Sequence, residues 1–276
     1  MELGVLAPRD GDVRRSALVA ALAALAVLAG CSSTAPPAAR SPTAPAARRA
    51  LRVVGLGDSV MAGTNCGCAG ITREYAAALA RRTNRRVTSS NLAANGLVTG
   101  DVLQDLLGSA AHRRVVRRAD VVLVTIGAND LLPQFARWQV ATCDEGCYRT
   151  PAIRMGSTLS RVLDVLDGLR SHRTVPVLVT DYWNVFTDGD VARSAGGQAQ
   201  VDWSEDVTRA ADTQICRAAR EHHDRCVDLV RPFKGAFSGS GQNDPTPLLA
   251  ADGDHPNAAG VGVIVQALMA STPSLP

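Results

Sequence analysis

Lysine is almost missing from this chain of 276 residues: of its 29 basic side chains only Lys234 is not arginine. The bias fits the codon usage of a GC-rich genome and is assigned no function. Excess charge is missing too, because 26 acidic residues leave a net charge of +3. A dedicated nucleic-acid binder is expected to cluster basic residues on a domain of pI above roughly 9, so acidic polymers are not the expected partner. No apolar run is long enough to span a bilayer, which takes about 20 residues; Ala17 to Ala29 is a run of thirteen. No internal repeat is visible. With 46% hydrophobic and 20% charged residues, the composition speaks against disorder, collagen and a polytopic membrane protein.

The short apolar run has a meaning of its own. Arg14 and Arg15 precede it, and it closes as Leu28-Ala29-Gly30-Cys31, the layout of a signal peptide. Small residues directly before Cys31 resemble the lipobox of bacterial lipoproteins. That resemblance implies cleavage after Gly30 and acylation of Cys31 as a lipid anchor. Residues 32–50 read SSTAPPAARSPTAPAARRA, with four of the chain's fourteen prolines and no aromatic residue. Such a segment cannot form a core and favours an extended, semi-rigid tether. The expected organisation is a signal peptide over 1–30, an anchor and tether over 31–50, and one folded domain over 51–276. The expected location is the extracytoplasmic face of the cell envelope.

Cysteine usage agrees with export. Beyond Cys31 there are six, in three local pairs: Cys66 and Cys68, Cys143 and Cys147, Cys216 and Cys226. Three local disulfides are the simplest account, although six cysteines allow fifteen connectivities. The competing reading is a zinc site, but CxC with CxxxC matches no common finger spacing.

The folded part alternates strand and helix patterns. Short β-branched or apolar runs at 51–56, 86–91, 121–126, 175–181 and 226–230 read as five buried strands. Helical patterns cover 71–82, 101–117, 152–170, 204–222 and 257–269. In the third, Met155, Leu159, Val162, Leu163, Leu166 and Leu169 share one face. The alternation implies an α/β fold with a mainly parallel sheet covered on both sides. The connections after strands three, four and five run through 127–151, 181–203 and 231–256, far beyond the usual two to six residues. They hold Phe135, Trp138, Tyr148, Tyr182, Trp183, Phe186, Trp203, Phe233 and Phe237. Two readings stay open for these aromatics: a small core of the loops' own, or a platform for an acyl chain or a sugar ring. The arginines at 81–86 and 113–118 read as solvated helix ends.

Four short motifs fall where such a sheet places ligands, outside the carboxyl ends of its strands. They are Gly57-Asp58-Ser59-Val60, Asn91-Leu92-Ala93-Ala94-Asn95-Gly96, Gly127-Ala128-Asn129-Asp130, and Asp252-Gly253-Asp254-His255-Pro256-Asn257 before the last helix. Singly each is a turn or a cap. In this order and placement they resemble the SGNH, or GDSL-type, hydrolase family. The resemblance runs from Leu51 to the last helix and implies a three-layer α/β/α sandwich on a five-stranded, flavodoxin-like sheet. Val60 stands where that family's first motif has leucine, and the CxC insertion follows.

The residues support that chemistry independently. A serine hydroxyl needs a base to become a nucleophile, and His255 is the one histidine beside a carboxylate at the expected site; His112, His172, His222 and His223 read as surface helix residues. Asp252, three residues before His255, is placed to fix the imidazole tautomer, with Asp254 as its rival. The family pattern supplies three oxyanion donors, which map onto the backbone N–H of Ser59, the backbone N–H of Gly96 and the side-chain amide of Asn129. A G-x-S-x-G elbow and an S-x-x-K pair are both missing. The expectation is an exported serine esterase or lipase, monomeric and without cofactor or metal. An O-acetyl esterase of envelope polysaccharide is the alternative substrate reading, and a non-catalytic glycan- or lipid-binding lipoprotein the alternative class.

Overall fold

The computed structural model describes residues 49–143, 146–170, 174–235 and 244–275. The signal segment, Cys31, most of the tether, His172 and Phe237 lie outside them. Among the described residues no helix is long and apolar enough to cross a membrane.

Five parallel strands, β1 (Leu51–Gly57), β2 (Val87–Asn91), β3 (Val121–Thr125), β4 (Val177–Thr180) and β5 (Arg225–Val227), form one sheet in the order β2-β1-β3-β4-β5. The central strands β3 and β4 are buried throughout, which is why they read as continuous Val and Leu runs rather than alternating ones. β2 corrects an expectation. It is the sheet edge, and Thr88 to Asn91 are exposed, so its polar sequence fits an edge and not a buried strand.

The helices are α1 (Ser59–Ala62), α2 (Ile71–Thr83), α3 (Thr99–Gly108), α4 (Ala110–Arg117), α5 (Leu132–Gln139), α6 (Arg149–Arg170), α7 (Gly189–Glu221), α8 (Val230–Lys234) and α9 (Ala258–Ser271). On one side of the sheet α2 packs on α9; on the other, α3 packs on α6 and α6 on α7. The chain crosses to the other side between β1 and β3, so the sheet's topological switch point opens at their carboxyl ends.

Three helical expectations change. The segment 101–117 is two helices, because Ser109 is extended and its hydroxyl accepts the N–H of His112 at 3.2 Å, an N-cap inside the apolar pattern. α7 begins fifteen residues before Ser204, and its interruption is Gly197, whose φ of 67° leaves the helix. Val230, expected to end the last strand, opens α8 instead.

The long connections are largely structured. They hold α5, α8, the first turns of α6 and α7, and 3-10 turns at Asn129–Leu131 and Thr246–Leu248. Their aromatics chiefly join the main core instead of making a small one of their own: Tyr148, Tyr182, Trp183, Phe186 and Phe233 are buried in one cluster with the strands and helices. Trp183 stacks on Phe233 with centroids 4.3 Å apart. Phe135, Trp138 and Trp203 are half-buried and stacked among themselves and Phe186, with Phe135–Phe186 at 5.0 Å and Trp138–Trp203 at 5.3 Å. Each such pair adds about 0.5–1.5 kcal/mol beyond its area burial.

The three local cysteine pairs are disulfides, Cys66–Cys68, Cys143–Cys147 and Cys216–Cys226, with Cα separations of 5.2, 5.3 and 5.1 Å. Among the described residues the one group with metal-ligand proximity is Asp181, Cys216 and Cys226. Both sulfurs are spent in a disulfide, so no thiolate is present there to bind zinc.

Candidate active site

Strand β1 delivers Ser59. The chain leaves the strand at Gly57, where φ is 143° and an added Cβ would lie 1.8 Å from the Thr125 carbonyl oxygen; only glycine fits this close pairing with β3. Asp58 then caps α1, its Oδ1 accepting the N–H of Val60 at 3.0 Å. Ser59 follows as the first residue of the helix, partly exposed. Its backbone N–H has no partner among the described residues, and neither has that of Gly96. Gly96 has φ of 77° and nothing within 4 Å of where a Cβ would be. The Asn129 side chain donates to the Leu97 carbonyl at 2.9 Å, which orients the amide and uses one of its two hydrogens.

The fourth motif forms a tight unit. His255 Nδ1 lies 2.7 Å from Asp252 Oδ2 and 3.9 Å from Asp254 Oδ2. Asp252 Oδ1 accepts the backbone N–H groups of Asp254 and His255, both at 3.0 Å, and Oδ2 accepts Nδ2 of Asn65 at 2.6 Å. Partial burial pushes the Asp252 carboxyl up, but the N–H of His255, the Asn65 amide, the N–H of Asp254 and the His255 ring together hold it well below the usual carboxylate range. Asp252 is therefore ionised beside the ring at all working pH values. The far nitrogen, His255 Nε2, is buried without a hydrogen-bond partner, and none joins it to Ser59 Oγ; such bonds often tighten only around substrate.

Two contacts here had no sequence signal. Tyr182, from the loop after β4, donates to Asp58 Oδ2 at 2.5 Å, and Asp130 accepts from the backbone N–H and hydroxyl of Thr99 at 2.9 and 2.6 Å. The second ties the GAND motif to the start of α3. Burial pushes the Asp58 carboxyl up to about 7, against the Tyr182 and Val60 hydrogen bonds that favour the anion; Asp254 raises it further and His255 lowers it. Because the folded state holds this proton more tightly than the unfolded chain, whose carboxyl titrates near 3.9, stability is lost as pH rises from about 4 to about 7. Asp58→Asn keeps the cap oxygen and removes the titration. Urea unfolding at pH 4 and pH 7 is expected to show the wild type losing up to about 4 kcal/mol more than the variant across that window. Parallel pH dependences of the two would contradict a buried, proton-retaining Asp58.

A second Ser–His–Asp chain of contacts lies outside the four motifs. Ser160 Oγ is 2.9 Å from His222 Nε2, and His222 Nδ1 is 2.9 Å from Asp167 Oδ2. His222 is thus a half-buried cap contact rather than the surface residue expected. Ser160 sits inside α6, where every nearby backbone N–H is spent on the helix, so no donor can meet an oxyanion. The contacts pin α7 to α6. Cavities of about 480 to 740 Å³ among the described residues lie away from Ser59, Gly96, Asn129 and His255.

A parallel sheet of this topology, carrying a helix-opening serine on β1 and a His–Asp pair before the last helix, defines the chain as an α/β hydrolytic enzyme of the three-layer type. Residues 56–263 match the family model of the GDSL-like lipase/acylhydrolase family. The chain belongs to that family and is an ester-hydrolysing enzyme. No curated protein matches it. Among solved structures it is similar to the lipase Lip_vut3 from a goat rumen metagenome, with a TM-score of 0.62, 20% identity, and coverage of 80% of this chain and 96% of that one. It is also similar to an extracellular lipase from Streptomyces rimosus, with a TM-score of 0.55, 21% identity, and 81% and 100% covered. A catalytic mutant of Axe2, an acetylxylan esterase from Geobacillus stearothermophilus, matches with a TM-score of 0.55, 15% identity, and 80% and 93% covered. At these identities the likeness is one of fold.

Proposed function

We propose that the protein is an exported, lipid-anchored serine esterase that hydrolyses carboxylic esters through an acyl-enzyme on Ser59. The observation that carries this reading is the Asp252–His255 pair, closed at 2.7 Å on the Nδ1 side with Nε2 buried and unpartnered. In this mechanism Nε2 takes the Ser59 proton as Oγ attacks the ester carbonyl. Asp252 holds the ring's tautomer and stabilises the imidazolium that forms. The imidazolium then protonates the leaving alcohol, and the same base activates water to release the acid. The N–H groups of Ser59 and Gly96 and the second amide hydrogen of Asn129 meet the tetrahedral oxyanion. Asn129→Ala is expected to lower kcat by about two to three orders of magnitude with little change in KM; a variant within twofold of wild type would remove Asn129 from the oxyanion site.

Export and the anchor at Cys31 rest on the N-terminal sequence alone. For the substrate, O-acetyl groups on an envelope polysaccharide are the second reading. The test is hydrolysis of p-nitrophenyl esters from acetyl to palmitoyl. Turnover confined to acetyl supports the deacetylase reading, and a maximum at longer chains supports a lipase. No turnover on any ester, with no fluorophosphonate labelling, would favour a binding lipoprotein instead.

A further inference from the structure

The loop that follows α1 carries more than a turn. Asn65 has φ of 55°, a left-handed conformation that asparagine tolerates better than most residues, and backbone geometry alone would accept Asn or Gly there. Its side chain does something the turn does not require. Nδ2 reaches 187 positions along the sequence to donate to Asp252 Oδ2 at 2.6 Å, the same oxygen that meets His255 Nδ1 at 2.7 Å. With both N–H bonds to Oδ1, this fourth bond leaves the carboxylate no free rotation. The loop itself is held at both ends. The Ser59 carbonyl accepts the N–H of Gly63 at 3.1 Å and of Thr64 at 3.0 Å, and Thr64 Oγ1 donates to Asn95 Oδ1 at 2.5 Å, beside Gly96. Directly after Asn65, Cys66 and Cys68 close a disulfide. One short segment thus joins the backbone of Ser59, the Asn95-Gly96 turn and the carboxylate behind His255.

We propose that Asn65 is a positioning residue of the active site: it fixes the Asp252 carboxylate against His255, and the Cys66–Cys68 disulfide holds it in place. The inference rests on the roles given above to Ser59, His255 and Asp252. Asn65 acts through Asp252 and not on the substrate, so its loss lowers kcat and leaves KM nearly unchanged. The charged groups facing the His255 ring are Asp252, Asp254 at 3.9 Å and, from the α1 cap, Asp58; a further carboxylate at position 65 would favour the imidazolium.

The experiment uses the full chain with p-nitrophenyl acetate and the rate of Ser59 labelling by a fluorophosphonate. Asn65→Gly keeps the left-handed backbone and deletes the amide; Asn65→Asp keeps the size and sets a second carboxylate on Asp252. Expected for Asn65→Gly is a fall in kcat, and in labelling rate, of about ten- to a hundredfold with KM within about twofold. Expected for Asn65→Asp is a similar fall together with an acid limb of the pH–rate profile displaced to higher pH. Removing both cysteines, Cys66→Ser with Cys68→Ser, is expected to reproduce the Asn65→Gly loss and to add nothing to it when combined. Wild-type kcat in Asn65→Gly, or an acid limb unmoved in Asn65→Asp, overturns the inference, and additive losses remove the disulfide from it. If turnover and labelling do not depend on Ser59 at all, the esterase mechanism fails first and the inference with it. With Ser59-dependent activity intact, the Asn65 variants judge the inference alone.

Discussion

Ser59→Ala is expected to lower ester turnover by at least about a thousandfold, because the variant lacks the proposed nucleophile while keeping the proposed oxyanion donors. His255→Ala is expected to cost about as much, since the two act as a unit and their losses do not add. The informative control is Ser160→Ala. Ser160 has a complete Ser–His–Asp contact chain in the structure, whereas Ser59 Oγ and His255 Nε2 share no hydrogen bond. Contact geometry alone would therefore choose Ser160, whereas the proposed mechanism places the nucleophile at Ser59. What separates them is the supply of uncommitted donors, which a helix interior cannot offer. Kinetics of the three variants, with mapping of a fluorophosphonate adduct by mass, decides between them: the adduct belongs on Ser59, and an adduct on Ser160 would sink the mechanism.

The other large effect expected is on stability. Lys234, the chain's single lysine, is 2% exposed, with Nζ 2.7 Å from Asp188 Oδ2 and 2.9 Å from Glu205 Oε1. The first contact is an ion pair outside hydrogen-bond geometry; the second is a hydrogen bond. Asp188 is itself 1% exposed. It caps α7 through the N–H of Gly189 at 2.8 Å, and its own N–H donates to the Gly253 carbonyl at 2.7 Å, inside the loop that carries Asp252 and His255. Lys234→Met leaves a buried carboxylate without its cation, a change that costs about 3–5 kcal/mol. The cost comes from the orphaned charge more than from the lost pair, so Lys234→Met combined with Asp188→Asn is expected to recover a substantial part of it. Denaturant unfolding of the single and double variants measures both effects. A single variant within about 1 kcal/mol of wild type would contradict the burial argument.

The central strands were legible because burial on both faces selects unbroken Val and Leu runs, as in Val121 to Val124, and three of the four motifs because each follows a strand. Legibility failed where the hydrophobic pattern was overridden by a local cap or by the strand order. The apolar pattern of 101–117 reads as one helix, yet Ser109 breaks it by taking the N–H of His112. The polar β2 run was placed correctly as a strand, but its exposure depends on which strand lies at the edge. The aromatics of the long connections were countable in the sequence. Which of them are buried was decided by α5, α6 and α7 folding over one another.

The sequence by itself determined the chemistry that local spacing controls: an i, i+3 Asp–His pair, a serine directly after a strand, glycines where the backbone turns left-handed, and cysteines close enough to pair with their neighbours. Only the tertiary structure decided which distant groups complete that chemistry. Asn65 on Asp252, Tyr182 on Asp58, Thr99 on Asp130 and Lys234 between Asp188 and Glu205 are pairings across tens to nearly two hundred residues. No periodicity or motif encodes them, because a hydrogen bond or ion pair depends on distances of about 3 Å that exist only once the sheet order, the helix packing and the loop paths have been fixed together.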